Sequence, residues 1–255
     1  MNSRVPLIAG NWKMHKDCVE AIASAEKLKA LCSGVYSDRE IMIAPPFTAL
    51  YPLSSCLTGT GIKLAGQNVY WAKEGAYTGE ISAKMLKSAG CEYVIIGHSE
   101  RRQIFGETDT DINSKIRASI EAGLAPVFCI GETDSEKENG KTFFVLDRQL
   151  ENGLKDVPVS GVNSIVIAYE PVWAIGTGKT ATPETAQKVH AWIRSFLEKK
   201  YGEALAKSVR IIYGGSVKPD NISGLMQLPD LDGVLVGGAS LEPESFFSIL
   251  RYNKL

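Results

Sequence analysis

Eight short apolar runs, most of them rich in β-branched residues, alternate with longer segments along the chain. Such runs predict buried strands, because strands covered on both faces are apolar throughout. The segments between them carry apolar residues at helical spacing, as at Ile112, Ile116 and Ile120, and predict helices. The predicted strands cover residues 5–9, 40–44, 62–65, 93–96, 126–130, 164–168, 209–213 and 232–236.

The regular alternation of strand and helix predicts a parallel sheet, and eight such units fit a closed barrel better than an open sheet. No Ser/Gly/Pro-rich linker divides the chain. We therefore expect an α/β protein, a (β/α)8 barrel of eight parallel strands with outer helices, as a single domain over residues 1–255. One helix start is well marked, since Thr182 suits an N-cap and Pro183 the first helical position.

Charge and composition argue against several classes of partner. The 28 Lys and Arg residues nearly balance 29 Asp and Glu, which disfavours binding to nucleic acid or a membrane surface through bulk positive charge. No apolar stretch approaches the roughly 18 residues of a membrane span, and the run at residues 5–9 is short for a signal peptide. The five scattered cysteines suggest reduced thiols and no metal site. These features predict a soluble, cytoplasmic protein.

A barrel carries its chemistry at the C-terminal ends of its strands. Glu170 follows the sixth run directly, and Pro171 stops the strand there. The segment up to Lys179 combines apolar Trp173 and Ile175 with two glycines, which predicts a pinned carboxylate base beside a flexible lid. Taken alone, this segment fits an ordinary surface loop equally well.

Polar side chains also follow the first and fourth runs. Ser99 begins a predicted helical turn, whose N-terminus would disfavour a protonated imidazole at His98. A neutral imidazole can polarise a carbonyl group. Lys13 offers positive charge to an anionic substrate, and Asn11 offers a neutral donor. Without this context, His98 would read as a core or surface histidine and Lys13 as a solvated charge.

Two diglycine turns, at residues 214–216 and 237–238, follow the seventh and eighth runs. Barrels place a phosphate cradle of backbone N–H groups at this point, so we predict an anion site there. The lid also contains glycine patterns like those of a P-loop and a dinucleotide turn. Both fail on context, because Trp173 stands where a P-loop needs glycine and Pro171 separates the strand from the first glycine.

A base, a neutral electrophile, a cation and a phosphate cradle together predict proton abstraction next to a carbonyl in a small phosphorylated substrate. The sequence also closely resembles the triosephosphate isomerase family over essentially its whole length. The motifs that carry the resemblance are Gly10-Asn11-Trp12-Lys13-Met14, Gly97-His98-Ser99-Glu100-Arg101-Arg102, Cys129-Ile130-Gly131-Glu132, residues 168–179, Tyr213-Gly214-Gly215-Ser216-Val217 and Gly237-Gly238-Ala239.

The resemblance implies a TIM barrel enzyme, an aldose–ketose isomerase that interconverts dihydroxyacetone phosphate and D-glyceraldehyde 3-phosphate through an enediol(ate), with no cofactor and no metal. It implies Glu170 as the base, with Cys129 supporting it, while His98, Lys13 and Asn11 stabilise charge on the substrate oxygens and Glu100 orients Lys13. The residues implied in substrate and phosphate binding are Asn11, Lys13, Gly176, Ser216, Gly237 and Gly238. The implied lid is Pro171, Val172, Trp173, Ala174, Ile175, Gly176, Thr177, Gly178 and Lys179, with Tyr213 and Ala181 as its latch.

The connection at residues 67–80 is unusually long and aromatic for a barrel and predicts an interface. The resemblance implies a homodimer in which this loop places Thr78 beside the partner's Asn11 and the partner's Lys13. Two alternatives stay open from the residues alone: Schiff-base aldol chemistry from a strand-end lysine, and a phosphometabolite-binding protein without turnover.

Overall fold

The computed structural model of the protein describes residues 4–33, 38–175 and 181–252. Within these residues, parallel strands pair in chain order and the last pairs with the first, which closes a barrel and confirms the predicted fold class. The strands are β1 (Leu7–Asn11), β2 (Glu40–Ala44), β3 (Ile62–Gly66), β4 (Cys91–Ile96), β5 (Ala125–Ile130), β6 (Val166–Tyr169), β7 (Arg210–Tyr213) and β8 (Gly233–Val236).

Helices follow the strands and surround the barrel, as the alternating pattern predicts. Two of the connections also contain short 3-10 segments, Val172–Ala174 and Gly238–Ser240. The helices are α1 (Cys18–Leu31), α2 (Phe47–Cys56), α3 (Ala83–Ser88), α4 (Ser99–Ile104), α5 (Asp109–Glu121), α6 (Asp134–Glu138), α7 (Thr142–Gly153), α8 (Val159–Val162), α9 (Pro183–Tyr201), α10 (Glu203–Ser208), α11 (Ile222–Leu225) and α12 (Pro243–Leu250).

Side-chain caps fix where several helices begin. The Asp17 side chain accepts a hydrogen bond from the Glu20 amide, and the Glu20 carboxylate accepts one from the Asp17 amide, which forms a capping box at the start of α1. Thr182 caps α9 through the Thr185 amide, and Pro183 is the first residue of that helix. The predicted start of α9 is therefore confirmed.

Most strand boundaries differ from the prediction by one or two residues, and the differences in the first and sixth strands have identifiable causes. The first strand lies at Leu7–Asn11 instead of residues 5–9, because pairing with β2 and β8 extends it through Gly10. The sixth begins at Val166, because Ser164 and Ile165 are used in hydrogen-bonded turns that end α8. Asn11 is consequently part of a strand, and its backbone is held by the sheet.

The barrel is filled by its own side chains. Inward-facing residues such as Leu7, Met42 and Val127 form one buried cluster, separate from the larger cluster between the strands and the helices. At the N-terminal end, Arg210 donates to the Glu40 carboxylate at 2.6 Å and to the Tyr93 hydroxyl at 2.8 Å. This polar group closes the N-terminal end of the barrel. The cavity described below lies at the opposite end, where the strands have their C-termini.

Candidate active site

A cavity of about 260 Å³ lies at the C-terminal ends of the strands. Its lining comes from the segments that follow β1, β4, β6, β7 and β8, which are far apart in sequence. The topology brings them together because parallel strands in a barrel all end on the same face. Among the residues that line the cavity are Asn11, Lys13, His98, Glu170, Ser216, Gly237 and Gly238.

Glu170 directly follows β6, and its side chain is 2% exposed. Its backbone N–H donates to the Ile130 carbonyl at 2.8 Å, which continues the sheet one residue past the strand. The Ser99 amide donates to Oε2 of the carboxylate at 2.8 Å, and Oε1 lies 3.0 Å from Nε2 of His98. The carboxylate is thus buried inside the cavity wall and held on both oxygens.

His98 is the N-cap residue of α4, and its ring is buried. Nδ1 accepts a hydrogen bond from the backbone N–H of Glu100 at 3.2 Å. An accepting nitrogen carries no proton, so the ring proton of the neutral imidazole lies on Nε2, the nitrogen that faces Glu170. The imidazole therefore presents a neutral N–H donor to the cavity.

Lys13 adopts a left-handed backbone conformation, with φ at +51°. Such a conformation costs free energy in a residue with a side chain and needs support from its surroundings. The Lys13 N–H donates to Oδ1 of Asn11 at 3.0 Å, and Nε2 of Gln67 donates to the Lys13 carbonyl at 2.8 Å. Because Oδ1 of Asn11 is used in this way, its amide NH₂ group is the donor that remains for a ligand.

The ammonium of Lys13 is paired with Glu100. The two groups are 2.5 Å apart, and the second carboxylate oxygen of Glu100 lies 3.6 Å from Nδ1 of His98. Glu100 thus lies between the cation and the imidazole, on the first turn of α4. A side chain in this position can orient Lys13 towards the cavity.

The two diglycine turns lie where the sequence places them, at the ends of β7 and β8. A Cβ atom on Gly214 would be 2.9 Å from Cγ of Glu170, and one on Gly215 would be 2.1 Å from the Tyr213 hydroxyl oxygen. A Cβ on Gly238 would meet nothing within 4 Å. The first turn therefore packs tightly against Glu170, while the second leaves open space at the cavity for a ligand.

The first part of the predicted lid is packed on the barrel. Residues 176–180, with Gly176, Thr177, Gly178 and Lys179 of that lid, lie outside the described residues. Trp173 is 7% exposed, its Nε1 donates to the Glu132 carboxylate at 2.9 Å, and the ammonium of Lys137 lies 3.2 Å from the centre of its ring. Burial raises the pKa of Glu132, and the hydrogen bond from Trp173 acts in the opposite direction.

The predicted latch residues lie close to each other. Burial raises the pKa of Tyr213 to about 12, and the backbone amide of Ala181 acts against this shift. The Tyr213 hydroxyl is buried and has no hydrogen-bond partner within the described residues. Its phenol is therefore near the Ala181 amide and still free to bond to it.

Cys129 lies on β5, which pairs with the strand that precedes Glu170, and is completely buried. Burial, and secondarily the Glu170 carboxylate, raises the pKa of its thiol well above the usual value. The group is accordingly a neutral thiol at neutral pH, which suits a packing role beside Glu170.

Sequence reasoning missed Gln149, which lies on α7 and supports the backbone next to Glu170. Its Oε1 accepts from the Gly131 amide at 2.8 Å, and its Nε2 donates to the Gly131 carbonyl at 3.2 Å. A Cβ on Gly131 would lie 1.7 Å from the Glu170 carbonyl oxygen, so these backbones are in direct contact. Gln149 falls within an ordinary helical pattern, and no signal in one sequence would have identified it.

Three comparisons with known proteins find the same family. The profile of the family described as Triosephosphate isomerase matches residues 6–253. The chain belongs to the triosephosphate isomerase family. A triosephosphate isomerase of Trichlorobacter lovleyi is 54% identical over 98% of this chain and 99% of the relative, and one of Chloroflexus aurantiacus is 51% identical over the same shares. A crystal structure of triosephosphate isomerase from Bartonella henselae superimposes with a TM-score of 0.87 at 41% identity, covering 96% of this chain and 98% of that one.

Membership of the triosephosphate isomerase family confirms the predicted enzyme class, an aldose–ketose isomerase. The reaction of the family interconverts dihydroxyacetone phosphate and D-glyceraldehyde 3-phosphate through an enediol(ate), a step of glycolysis and gluconeogenesis, and it is the function of this chain. No helix among the described residues is long and apolar enough to cross a membrane.

Proposed function

We propose that Glu170 is the base of this isomerisation. The observation that carries the proposal is its buried carboxylate in the cavity, 3.0 Å from Nε2 of His98. In this role Glu170 takes the proton from one substrate carbon, which leaves an enediol(ate), and returns it to the neighbouring carbon. A buried base that faces preorganised donors moves the proton with little reorganisation of its surroundings.

His98 acts as the neutral electrophile in this proposal. The proton on Nε2 is aimed into the cavity, where it can donate to a substrate oxygen as negative charge develops there. Lys13 and the amide NH₂ of Asn11 supply further stabilisation, with Glu100 orienting the ammonium. Stabilisation of this kind lowers the barrier because it is stronger in the transition state than in the ground state.

The phosphate group of the substrate binds at the diglycine turns in this proposal. Support comes from the backbones of Ser216, Gly237 and Gly238, which line the cavity, and from the open space above Gly238. Backbone N–H groups at such turns are well suited to an anion. Gly176 is proposed as a further contact, and it belongs to the segment outside the described residues.

The segment Pro171–Lys179 is proposed to be the lid, with Tyr213 and Ala181 as its latch. The available Tyr213 hydroxyl beside Ala181 supports the latch. A closed lid would exclude water and protect the enediol(ate) from losing phosphate. Trp173 holds the start of this segment on the barrel, because its indole N–H donates to the Glu132 carboxylate.

A homodimer is the proposed assembly. A second cavity of about 360 Å³ adjoins the site, and it is lined by Asn11 and Lys13 together with exposed Met14 and Phe105. The loop at residues 67–80 carries exposed aromatic side chains, with Tyr70 stacked on Trp71 at 4.1 Å between ring centres. Exposed apolar surface of this kind marks an interface, and Thr78 of one subunit would enter this cavity of the other.

The barrel is proposed to form one catalytic domain in the cytoplasm. The five cysteines are free thiols in the structure, as a reducing compartment would leave them. The proposed reaction uses no cofactor and no metal, because side chains of the chain itself fill every role that proton transfer needs.

The test is conversion of glyceraldehyde 3-phosphate to dihydroxyacetone phosphate by purified protein, with a Glu170→Asp variant alongside. Moving the carboxylate back by about 1 Å should lower kcat by about 10² or more while the circular dichroism spectrum stays the same. A near-normal rate in the variant would remove Glu170 from the role of base. Covalent trapping by borohydride in the presence of substrate would instead favour Schiff-base chemistry.

A further inference from the structure

Lys218 lines the active-site cavity at the end that holds Ser216, Gly237 and Gly238. The side chain is exposed and has no carboxylate partner within the described residues. The other lysine of the cavity, Lys13, is already paired with Glu100. Lys218 is therefore an uncompensated cation beside the proposed phosphate position.

Asn221 fixes the backbone from which this side chain extends. Its Oδ1 accepts from the Lys218 amide at 2.9 Å, and its Nδ2 donates to the Ser216 carbonyl at 3.1 Å. The Ile222 amide closes the turn by donating to the Lys218 carbonyl at 3.2 Å. Pro219 further restricts Lys218 to extended conformations. The ammonium is thus tethered to a rigid turn at the rim of the cavity.

The charges around the cavity indicate that Lys218 can attract an anionic ligand. Glu170 places one negative charge in the wall, and Glu100 offsets much of the charge on Lys13. Among the described residues that line the cavity, Lys218 is the cation without a carboxylate partner, and a dianionic phosphate would bind near it. Exposed charges act mainly through diffusional attraction and modest ground-state binding, and both effects weaken as salt is added.

We propose that Lys218 is a further phosphate-recognition residue, which selects dianionic substrates and draws them into the cavity. The proposal rests on the proposed function of the same site. Lys218 is far from the reacting carbons in this scheme, so it binds substrate and transition state equally well. Removal of such an interaction raises KM and leaves kcat unchanged.

The experiment compares Lys218→Gln and Lys218→Arg with a Lys155→Gln control. Lys155 is an exposed lysine that precedes β6, at the opposite end of the barrel, so its replacement removes the same charge far from the cavity. At low ionic strength the KM for glyceraldehyde 3-phosphate should rise about three- to fivefold in Lys218→Gln, as expected for an exposed charge pair. Lys218→Arg and Lys155→Gln should both keep the parental KM, and the effect in Lys218→Gln should shrink as salt is added.

Glyceraldehyde, which lacks the phosphate, separates a charge effect from a structural one. Its slow isomerisation should have the same kcat/KM in Lys218→Gln as in the parent. An unchanged KM for the phosphorylated substrate at low salt, or an equal loss with glyceraldehyde, would overturn the role of Lys218. A parent protein without any turnover of triose phosphate would overturn the proposed function itself, so the two failures are distinguishable.

Discussion

Nε2 of His98 and Oε1 of Glu170 lie 3.0 Å apart, and both groups are buried in the wall of one cavity. The backbone N–H of Glu100 occupies the other ring nitrogen, so the proton of the imidazole lies between the ring and the carboxylate. This pairing sets the acid–base arrangement of the site before any substrate enters. In the proposed mechanism, a substrate oxygen replaces Glu170 as the acceptor of the Nε2 hydrogen bond when the carboxylate turns to the substrate carbon.

The tautomer of His98 can be read directly by nitrogen NMR. We expect the long-range ¹H–¹⁵N spectrum of labelled protein at neutral pH to show a protonated Nε2 and an unprotonated Nδ1. His15 is exposed and provides an internal reference with averaged tautomers. A proton on Nδ1 of His98 would contradict the hydrogen bond from Glu100 and the electrophile role built on it.

Gly131→Ala should damage catalysis through the backbone of Glu170, the proposed base. The added Cβ would lie 1.7 Å from the Glu170 carbonyl oxygen, so the backbone at Glu170 must shift. We expect kcat to fall by about 10², because displacements of this size spoil proton-transfer geometry. Gly224→Ala is the control, since its Cβ meets nothing and the change should be neutral or stabilising by about 0.4–1 kcal/mol. Equal rates in the two variants would show that the contact does not matter.

Gln149→Met should lower kcat about tenfold with little change in KM. The methionine has a similar volume but leaves the Gly131 N–H and carbonyl unpaired, which loosens the support of Glu170. Gln149→Glu keeps the acceptor for the Gly131 N–H and should recover part of the loss. Exposed Gln227→Met serves as the matched control. A loss of thermal stability alone, with kcat intact, would reduce Gln149 to a packing residue.

Thr78→Arg should disrupt the proposed dimer. A bulky cation at this exposed loop position would enter a cavity of the second subunit that already holds Lys13 and Arg101, where crowding and like charge oppose it. Sedimentation should shift from dimer to monomer at micromolar concentration, together with a loss of activity. Thr58→Arg, exposed beyond the end of α2 at the other face, should remain dimeric. A fully active monomer, for the parent or the variant, would sink the dimer proposal.

His190 should make the protein less stable in mild acid. Burial lowers its pKa from the ordinary value of 6.5 to about 4, with Asp230 and Asp232 acting in the opposite direction. As pH falls below 6.5, the unfolded chain therefore takes up this proton before the folded protein does. The contribution of His190 is constant above that pH, and up to about 3 kcal/mol of stability should be lost between pH 6.5 and 4.

Urea unfolding across this range measures the slope, with His190→Asn as the comparison. The variant should be less stable overall, because a smaller side chain fills the same buried space. Between pH 6.5 and 4, the variant should lose less stability than the parent protein, because the titrating imidazole has been removed. Parallel curves for the two proteins would contradict a depressed pKa at His190.

The barrel was predictable because its strands are continuous apolar runs and its helices have marked starts. β2 matches the prediction at both ends, because the apolar run from Glu40 to Ala44 marks the strand within its own sequence. The position of β1 was less predictable, because pairing with β8 determines where the strand lies. β8 is far away in sequence, so no local pattern around β1 indicates this pairing. Tertiary pairing thus determined the boundaries that sequence patterns left loose.

In the candidate site too, some residues could be predicted from local sequence patterns and others depend on contacts between distant elements. Glu170 and His98 could be placed from sequence because each follows an apolar run at a strand end. The support of Lys13 by Gln67, and of Gly131 by Gln149, depends on contacts between distant elements, and glutamines give no sign of such roles in a single sequence. The anchoring of Trp173 to Glu132 was likewise unforeseen, because the segment reads as a free apolar loop.

The closed N-terminal end of the barrel determines how molecules travel through the enzyme. Arg210, Glu40 and Tyr93 fill that end, and packed side chains occupy the space above them. Both triose phosphates must consequently use one mouth, and neither can enter until the other has left. The aldose and the ketose then compete for the same empty enzyme, so each should inhibit turnover of the other competitively, and the net direction of flux follows their concentration ratio relative to the equilibrium constant.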